Sequence, residues 1–258
     1  MKGDFVFWEG FFMRKLLTAF AMTQSMFCAV PLPVQKWEES ARSHMMVWLP
    51  VIGLEIGLIW FGIFHLLEFL AVPGLIGAAI LSVIPFLLTG KIHLDGYLDV
   101  VDAVCSWRDA EKRREILKDP HVGSFAVVWC GILMLLQFAA FASMHAPSPV
   151  LVLIPVVSRS LAALAVIRLP PMQTSQYSGG IEYPKRHRAV LWIVVILSTA
   201  AAIALWKTAG IAIPAVIAGH CWALQRAYRS LEGMNGDIAG FCITVSELCG
   251  AVALSIVG

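Results

Sequence analysis

Charge is scarce in this chain. Of its 258 residues only 14% are Asp, Glu, Lys or Arg, while 59% are hydrophobic and the mean hydropathy is +0.79. A soluble domain carries roughly 25% charged residues, so an ordinary soluble globular protein is excluded. The formal net charge is only +2, and no basic run is interleaved with aromatics, which leaves no surface for nucleic acid. The six cysteines, Cys28, Cys105, Cys130, Cys221, Cys242 and Cys249, form no CxxC pair. Most lie in apolar runs, where a thiol behaves as a small hydrophobe, so they read as reduced and structural. A GxSxG elbow, a P-loop, a dinucleotide fingerprint and an HExxH pair are all missing, which removes the commonest hydrolase, nucleotide-binding and zinc chemistries. Internal repeats and low-complexity tracts are missing too, and the longest polar loop, of about 33 residues, is too short for a separate soluble domain.

What is present is a series of long apolar runs, so the fold class expected is all-α, a polytopic membrane helical bundle forming a single domain over residues 1–258. About 20 apolar residues cross a hydrocarbon core of roughly 30 Å. Seven windows qualify, approximately Met45–Phe69, Ala71–Leu88, Phe125–Met144, Val150–Ile167, Ala189–Trp206, Ile211–Tyr228 and Ile238–Val257. An eighth segment, Phe11–Val30, carries Arg14, Lys15 and several hydroxyl or amide side chains before Pro31 and Pro33. It is read as a retained segment that lies in the interface or is re-entrant, because no small-residue cleavage site follows it. Lysine and arginine concentrate in two loops, Gly90–Val122 and Arg168–Arg188. Cytoplasmic loops are enriched in these residues, so both loops are expected on that side, with the Lys36–Arg42 and Arg226–Asp237 loops beside them. An inner-membrane protein with its polar chemistry facing the cytoplasm follows.

The loop of about residues 89–124 carries the chemistry. In Gly90-Lys91-Ile92-His93-Leu94-Asp95-Gly96-Tyr97-Leu98-Asp99-Val100-Val101-Asp102, three aspartates are spaced i, i+4 and i+7, which puts them on one face of a helix. Two carboxylates roughly 6 Å apart repel by about 3 kcal/mol at an effective dielectric near 20. Such a cluster at a membrane border therefore asks for a cation, and hard oxygen ligands select Mg²⁺ or Mn²⁺ over zinc. Magnesium held by few carboxylates keeps positions open for phosphate oxygens, which points to phosphoryl or pyrophosphate chemistry. The plain alternative is a solvated acidic face neutralised by Lys91 and Arg108.

Other polar groups belong to the same expected side. Asp119-Pro120 stops a charged helix, and the N–H groups of Gly123 and Ser124, opening the next span, are placed to receive an anion or simply to start that helix. Arg159 interrupts an apolar run, at roughly 3 kcal/mol on insertion scales, and so points at a partner or a ligand anion. Arg186 and Arg188 belong to a basic cluster suited to phosphates or anionic lipid heads. Asp237 and Glu247 are extra metal ligands or acid–base groups, or Asp237 is a helix N-cap. Glu55 and His65 are expected to face the bundle interior, and His93 stands near the aspartates.

Together, Gly90 to Asp102, then Glu115-Ile116-Leu117-Lys118-Asp119-Pro120-His121-Val122-Gly123-Ser124-Phe125, then Ser158-Arg159, then Asn235-Gly236-Asp237 with Glu247, resemble the cobalamin synthase family, also called adenosylcobinamide-GDP ribazoletransferase. The likeness runs in order along nearly the whole chain. Three positions depart from the family pattern. Ala103 stands where the family has glycine, Asn235 where it has threonine, and Lys91-Ile92 where small residues and glycine are usual. The resemblance implies a membrane enzyme that joins α-ribazole, or its 5′-phosphate, to adenosylcobinamide-GDP with release of GMP, requiring Mg²⁺. On that reading Asp95, Asp99 and Asp102 hold the metal at the pyrophosphate. His93, Lys118, Gly123, Ser124, Arg159, Arg186, Arg188 and Asn235 bind substrate, and Asp119 or Asp237 takes the proton of the attacking hydroxyl. Membrane lipid is the other expected partner, and a homo-oligomer is left open. The rival readings are a CDP-alcohol phosphotransferase or UbiA-like prenyltransferase, whose extended motifs are missing, and a secondary transporter built on Glu55, His65, Arg159 and Glu247.

Overall fold

The computed structural model describes residues 2–33, 37–172 and 181–257, with side chains from residue 13 onward. Lys36 and part of the loop before α8 thus lie outside the described residues. The described chain is helical: α1 Lys2–Phe27, a 3-10 helix Glu39–Trp48, α2 Leu49–Phe69, α3 Gly74–Leu88, α4 Ile92–Cys105, α5 Ala110–Ile116, α6 Ser124–Ser143, α7 Val150–Arg168, α8 Lys185–Trp206, α9 Ala212–Leu231 and α10 Gly236–Val257. Its only β pairing among the described residues is a single parallel bridge between Pro171 and Met234. An all-helical, multi-pass membrane bundle is what a chain this apolar must form, since helices satisfy every backbone group within the segment.

Five helical stretches are long and apolar enough to cross a membrane: Glu39–Phe69, α6, α7, α8 and α10. Six result if α3 and α4, which meet at 92°, are counted as one broken span. The expected count of about seven is therefore too high, for two physical reasons. The window Ala71–Leu88 yields α3, whose 15 residues extend only about 22 Å at 1.5 Å each. The window Ile211–Tyr228 yields α9, which buries one side and leaves Gln225, Arg226 and Arg229 exposed near its end. The N-terminal segment is one continuous helix to Phe27, and Thr23 ties it to the 3-10 helix by donating to the Met45 carbonyl at 3.2 Å.

Helix α7 is the axis of the bundle. Of its apolar window 83% is buried, against 17% for α8, so α7 is surrounded by helices while α8 faces lipid. The closest neighbour is α2, where Gly53 and Gly57 leave no room for a side chain against the α7 backbone at Val152, Pro155 and Val156. Small residues four apart are the usual device for close helix approach in lipid. On another side α7 meets α10, which also packs on α4, α6 and α9.

The antiparallel course gathers one set of helix ends. The Ala29 amide donates to the Leu88 carbonyl, joining the ends of α1 and α3. Arg113 and Arg114 of α5 reach the carbonyls of Ser230 and Leu231 at the end of α9, and the bridge at Pro171 and Met234 joins the exit of α7 to the entry of α10. The turns after α2, α6 and α8 lie at the opposite end. All four loops expected on one side are on one side, apart from the portions outside the described residues.

Candidate active site

The gathered end is organised around α4. Gly90 and Lys91 both take left-handed backbone conformations, with φ of 59° and 69°, and they turn the chain from the end of α3 into α4. We read α4 as lying across the end of the bundle rather than through it, because it sits at 92° to α3 and carries three carboxylates on one face. Its other face, with Tyr97, Val100, Val101 and Val104, is buried.

At Gly96 the start of α10 comes so close that a Cβ would meet the Asp237 Cα at 2.8 Å. That contact brings a fourth carboxylate to the aspartate face. Asn235 caps α10 by accepting from the Ile238 amide at 3.0 Å, and its own amide donates to Asp237 at 2.6 Å. The N-cap of α10 is thus Asn235 and not Asp237. Asp99 lies amid these charges: burial first, then Asp95, Asp237 and Asp102, push its carboxyl up to about 7. A carboxyl raised by burial and by three neighbouring carboxylates marks a site short of positive charge.

Asp102 is engaged differently. One of its oxygens accepts from the Gly123 amide at 2.6 Å and the other from the Ala126 amide at 2.9 Å. The anion received at the start of α6 is therefore the chain's own carboxylate. Gly123 is needed there, since a Cβ would meet Asp102 Oδ1 at 2.6 Å, and Ser124 follows it as an exposed first residue of α6.

His93 is 6% exposed and its Nε2 has no partner. Burial first, then the Arg159 charge, hold the imidazole well below its ordinary range, so it is neutral. It stacks on Phe27 at 6.1 Å between ring centres. It lines a small cavity of about 90 Å³ with Met26, Phe27, Met46, Asp95 and Asp237. The contribution of α1 and the 3-10 helix to this wall has no local sequence signal, because residues 26–46 and 93 are joined only by packing.

Other expected site residues lie elsewhere. Arg159 is fully buried and ion-paired with Glu247, which also accepts from Ser158 at 2.8 Å; its partner is a protein carboxylate, with Nε and Nη2 left unpaired. Asp119 is on the exposed loop and bonds His121 at 2.6 Å. Lys118 lines a separate polar cleft with Arg114 and Glu232. Arg186 and Arg188 stand on the exposed first turn of α8, beside the buried contact of His187 with His44 at 3.1 Å. Glu55 points inward and accepts from Gln24 at 3.0 Å, whereas His65 is corrected to an outward position, 54% exposed beside Glu68 at the far end of α2. Among the described residues, no three carboxylate, imidazole or thiol groups stand close enough to hold one metal ion by themselves.

Comparison with known proteins decides the family. The cobalamin-5-phosphate synthase model matches residues 19–255, a range that includes every residue of the site. The chain belongs to this family. It is similar to the adenosylcobinamide-GDP ribazoletransferase of Clostridium botulinum (strain Alaska E43 / Type E3), 32% identical over 92% of this chain and 97% of the relative. The protein of the same name from Clostridium perfringens (strain SM101 / Type A) is 33% identical over 95% of this chain and all of its own length. No solved structure matches. Membership in the cobalamin-5-phosphate synthase family makes the chain an enzyme, a transferase of cobalamin biosynthesis, and sets aside the prenyltransferase, CDP-alcohol phosphotransferase and transporter readings.

Proposed function

We propose that this chain joins α-ribazole, or its 5′-phosphate, to adenosylcobinamide-GDP at the aspartate face of α4, releasing GMP. The reaction takes place at the cytoplasmic face of the inner membrane. The observation that carries the reading is the meeting of Asp95, Asp99 and Asp237 where burial and mutual repulsion raise the Asp99 carboxyl to about 7. Such a cluster is most stable with a dication and phosphate oxygens above it.

The donor set fits Mg²⁺: hard carboxylate oxygens, too few for a closed cage, as suits an ion that retains water and phosphate ligands. Asp95 and Asp99 would hold it, with water and phosphate oxygens as the other ligands, while both oxygens of Asp102 are taken by the amides of Gly123 and Ala126. Bound there, the ion supplies charge neutralisation at the pyrophosphate as GMP departs. The chain's own residues do the rest. Neutral His93, which lines the cavity beside Asp95 and Asp237, orients the substrate by a hydrogen bond from its ring. Asp237, steadied by Asn235, takes the proton of the attacking hydroxyl. Asp102 fixes the start of α6 against α4, and through it the spacing of the aspartates. The basic loops around the site argue for the cytoplasmic side.

The test is to incubate detergent-purified protein with adenosylcobinamide-GDP and α-ribazole, with and without Mg²⁺, and to follow GMP. GMP together with a cobalamin product, only when Mg²⁺ is present, is expected. GMP without Mg²⁺ would overturn the metal site, and no product from folded protein would overturn the substrate pair.

A further inference from the structure

On the back of α4 lies an apolar groove of about 380 Å³. Its floor is buried, with Val101, Val104 and Leu133, and its rim is exposed, with Trp107, Trp129 and Trp222 at 81%, 43% and 59%. The groove runs between α6 and α9 from the gathered end inward to Leu136, which lies about 18 Å along α6 at 1.5 Å per residue. Apolar surface alone would be unremarkable on a helix facing lipid. The mouth is different. Arg226 lines it, and Arg226, Arg229, Gln225 and Trp222 continue into an adjoining cleft. Neither arginine has a salt-bridge partner among the described residues.

An arginine at the edge of the hydrocarbon needs an anion or water, and tryptophans mark the level of the lipid headgroups. The geometry points to an anionic phospholipid as the occupant, with one acyl chain in the groove and its phosphate on Arg226 and Arg229. The chemistry is complementary at both ends, and the seat also explains why α9, alone among the long helices after α5, is too polar near its end for a plain span. Because Tyr97, Val100, Val101 and Val104 wall the groove from the face opposite the aspartates, the lipid bears on the back of α4. This inference stands apart from the identity of the enzyme's substrates.

Native mass spectrometry of the purified full chain, titrated with phosphatidylglycerol or phosphatidylcholine, tests it. The wild type should retain one phosphatidylglycerol with at least tenfold preference over phosphatidylcholine. Arg226→Gln with Arg229→Gln should lose that preference, and Arg226→Lys with Arg229→Lys should keep most of it, which separates lost charge from lost fold. Leu136→Trp, filling the inner end, should reduce retention of both lipids. Equal retention of the two lipids by the wild type, or a preference untouched by the glutamine pair, would overturn the proposal. So would competition by glycerol phosphate as strong as that by the lipid, which would make the site one for soluble anions. A change from Leu136→Trp in the number of protein copies rather than of lipids would assign the groove to a second chain and equally overturn it.

Discussion

Asp99 and Asp102 are three residues apart on one helix yet do different work, and substitution separates them. Asp99→Asn removes a charge that the fold holds against its neighbours. Turnover should fall by roughly 10²–10³-fold while the protein melts no lower than wild type. Asp102→Ala takes away an anion bonded to two amides of α6. It should cost about 1–2 kcal/mol of stability in addition to activity, seen as a lower melting temperature in the same detergent. The raised Asp99 carboxyl also sets a pH dependence. Unfolded aspartate ionises near pH 4 and the folded one near 7, so between these values the native state binds the extra proton. Stability in EDTA should therefore fall as pH rises from about 4 to 7. Excess Mg²⁺ should flatten that slope and, in weak buffer near pH 7, should release protons on binding. A slope unchanged in Asp99→Asn would show that another group carries it.

At the scale of elements, the turn between α3 and α4 is the joint on which the site depends. Lys91 occupies a left-handed conformation that costs a side-chain-bearing residue about 1 kcal/mol. Lys91→Gly should raise the melting temperature slightly and leave turnover within about twofold; a loss of activity would show that the lysine side chain, not the turn, matters. Gly96→Ala should do the opposite, driving α10 away at Asp237 and lowering both stability and rate. Much of this was legible beforehand. The i, i+4, i+7 spacing alone placed Asp95, Asp99 and Asp102 on one face, and long apolar runs placed α6, α7 and α10. The spacing could not show that Asp102 faces Gly123, 21 residues onward, or that α1 closes the wall behind His93, because both depend on tertiary packing. The count of spans was too high because apolar content registers burial against protein and burial in lipid alike, and α9 has the first on one side and polar contacts on the other.

For the whole molecule, the fully buried pair Arg159 and Glu247 locks α7 to α10 at the centre of the bundle. Removing one partner strands the other in an apolar surround. Arg159→Met or Glu247→Leu alone should each destabilise by about 3–5 kcal/mol. The double substitution should recover most of that loss, measured as thermal unfolding of detergent-solubilised protein. Recovery of folding without recovery of turnover would give Arg159 a second role through the nitrogens that Glu247 leaves unpaired.

The same pair bears on how the protein is made. Arg159 and Glu247 are 88 residues apart, so the arginine of α7 is synthesised and delivered to the membrane well before its counter-ion exists. Until α10 emerges from the ribosome, α7 has to wait with a bare cation, at the translocon or at the membrane surface. A chain arrested before residue 247 should be found incompletely inserted and open to the quality-control proteases, and completion of the last helix becomes the event that commits the whole bundle to the bilayer.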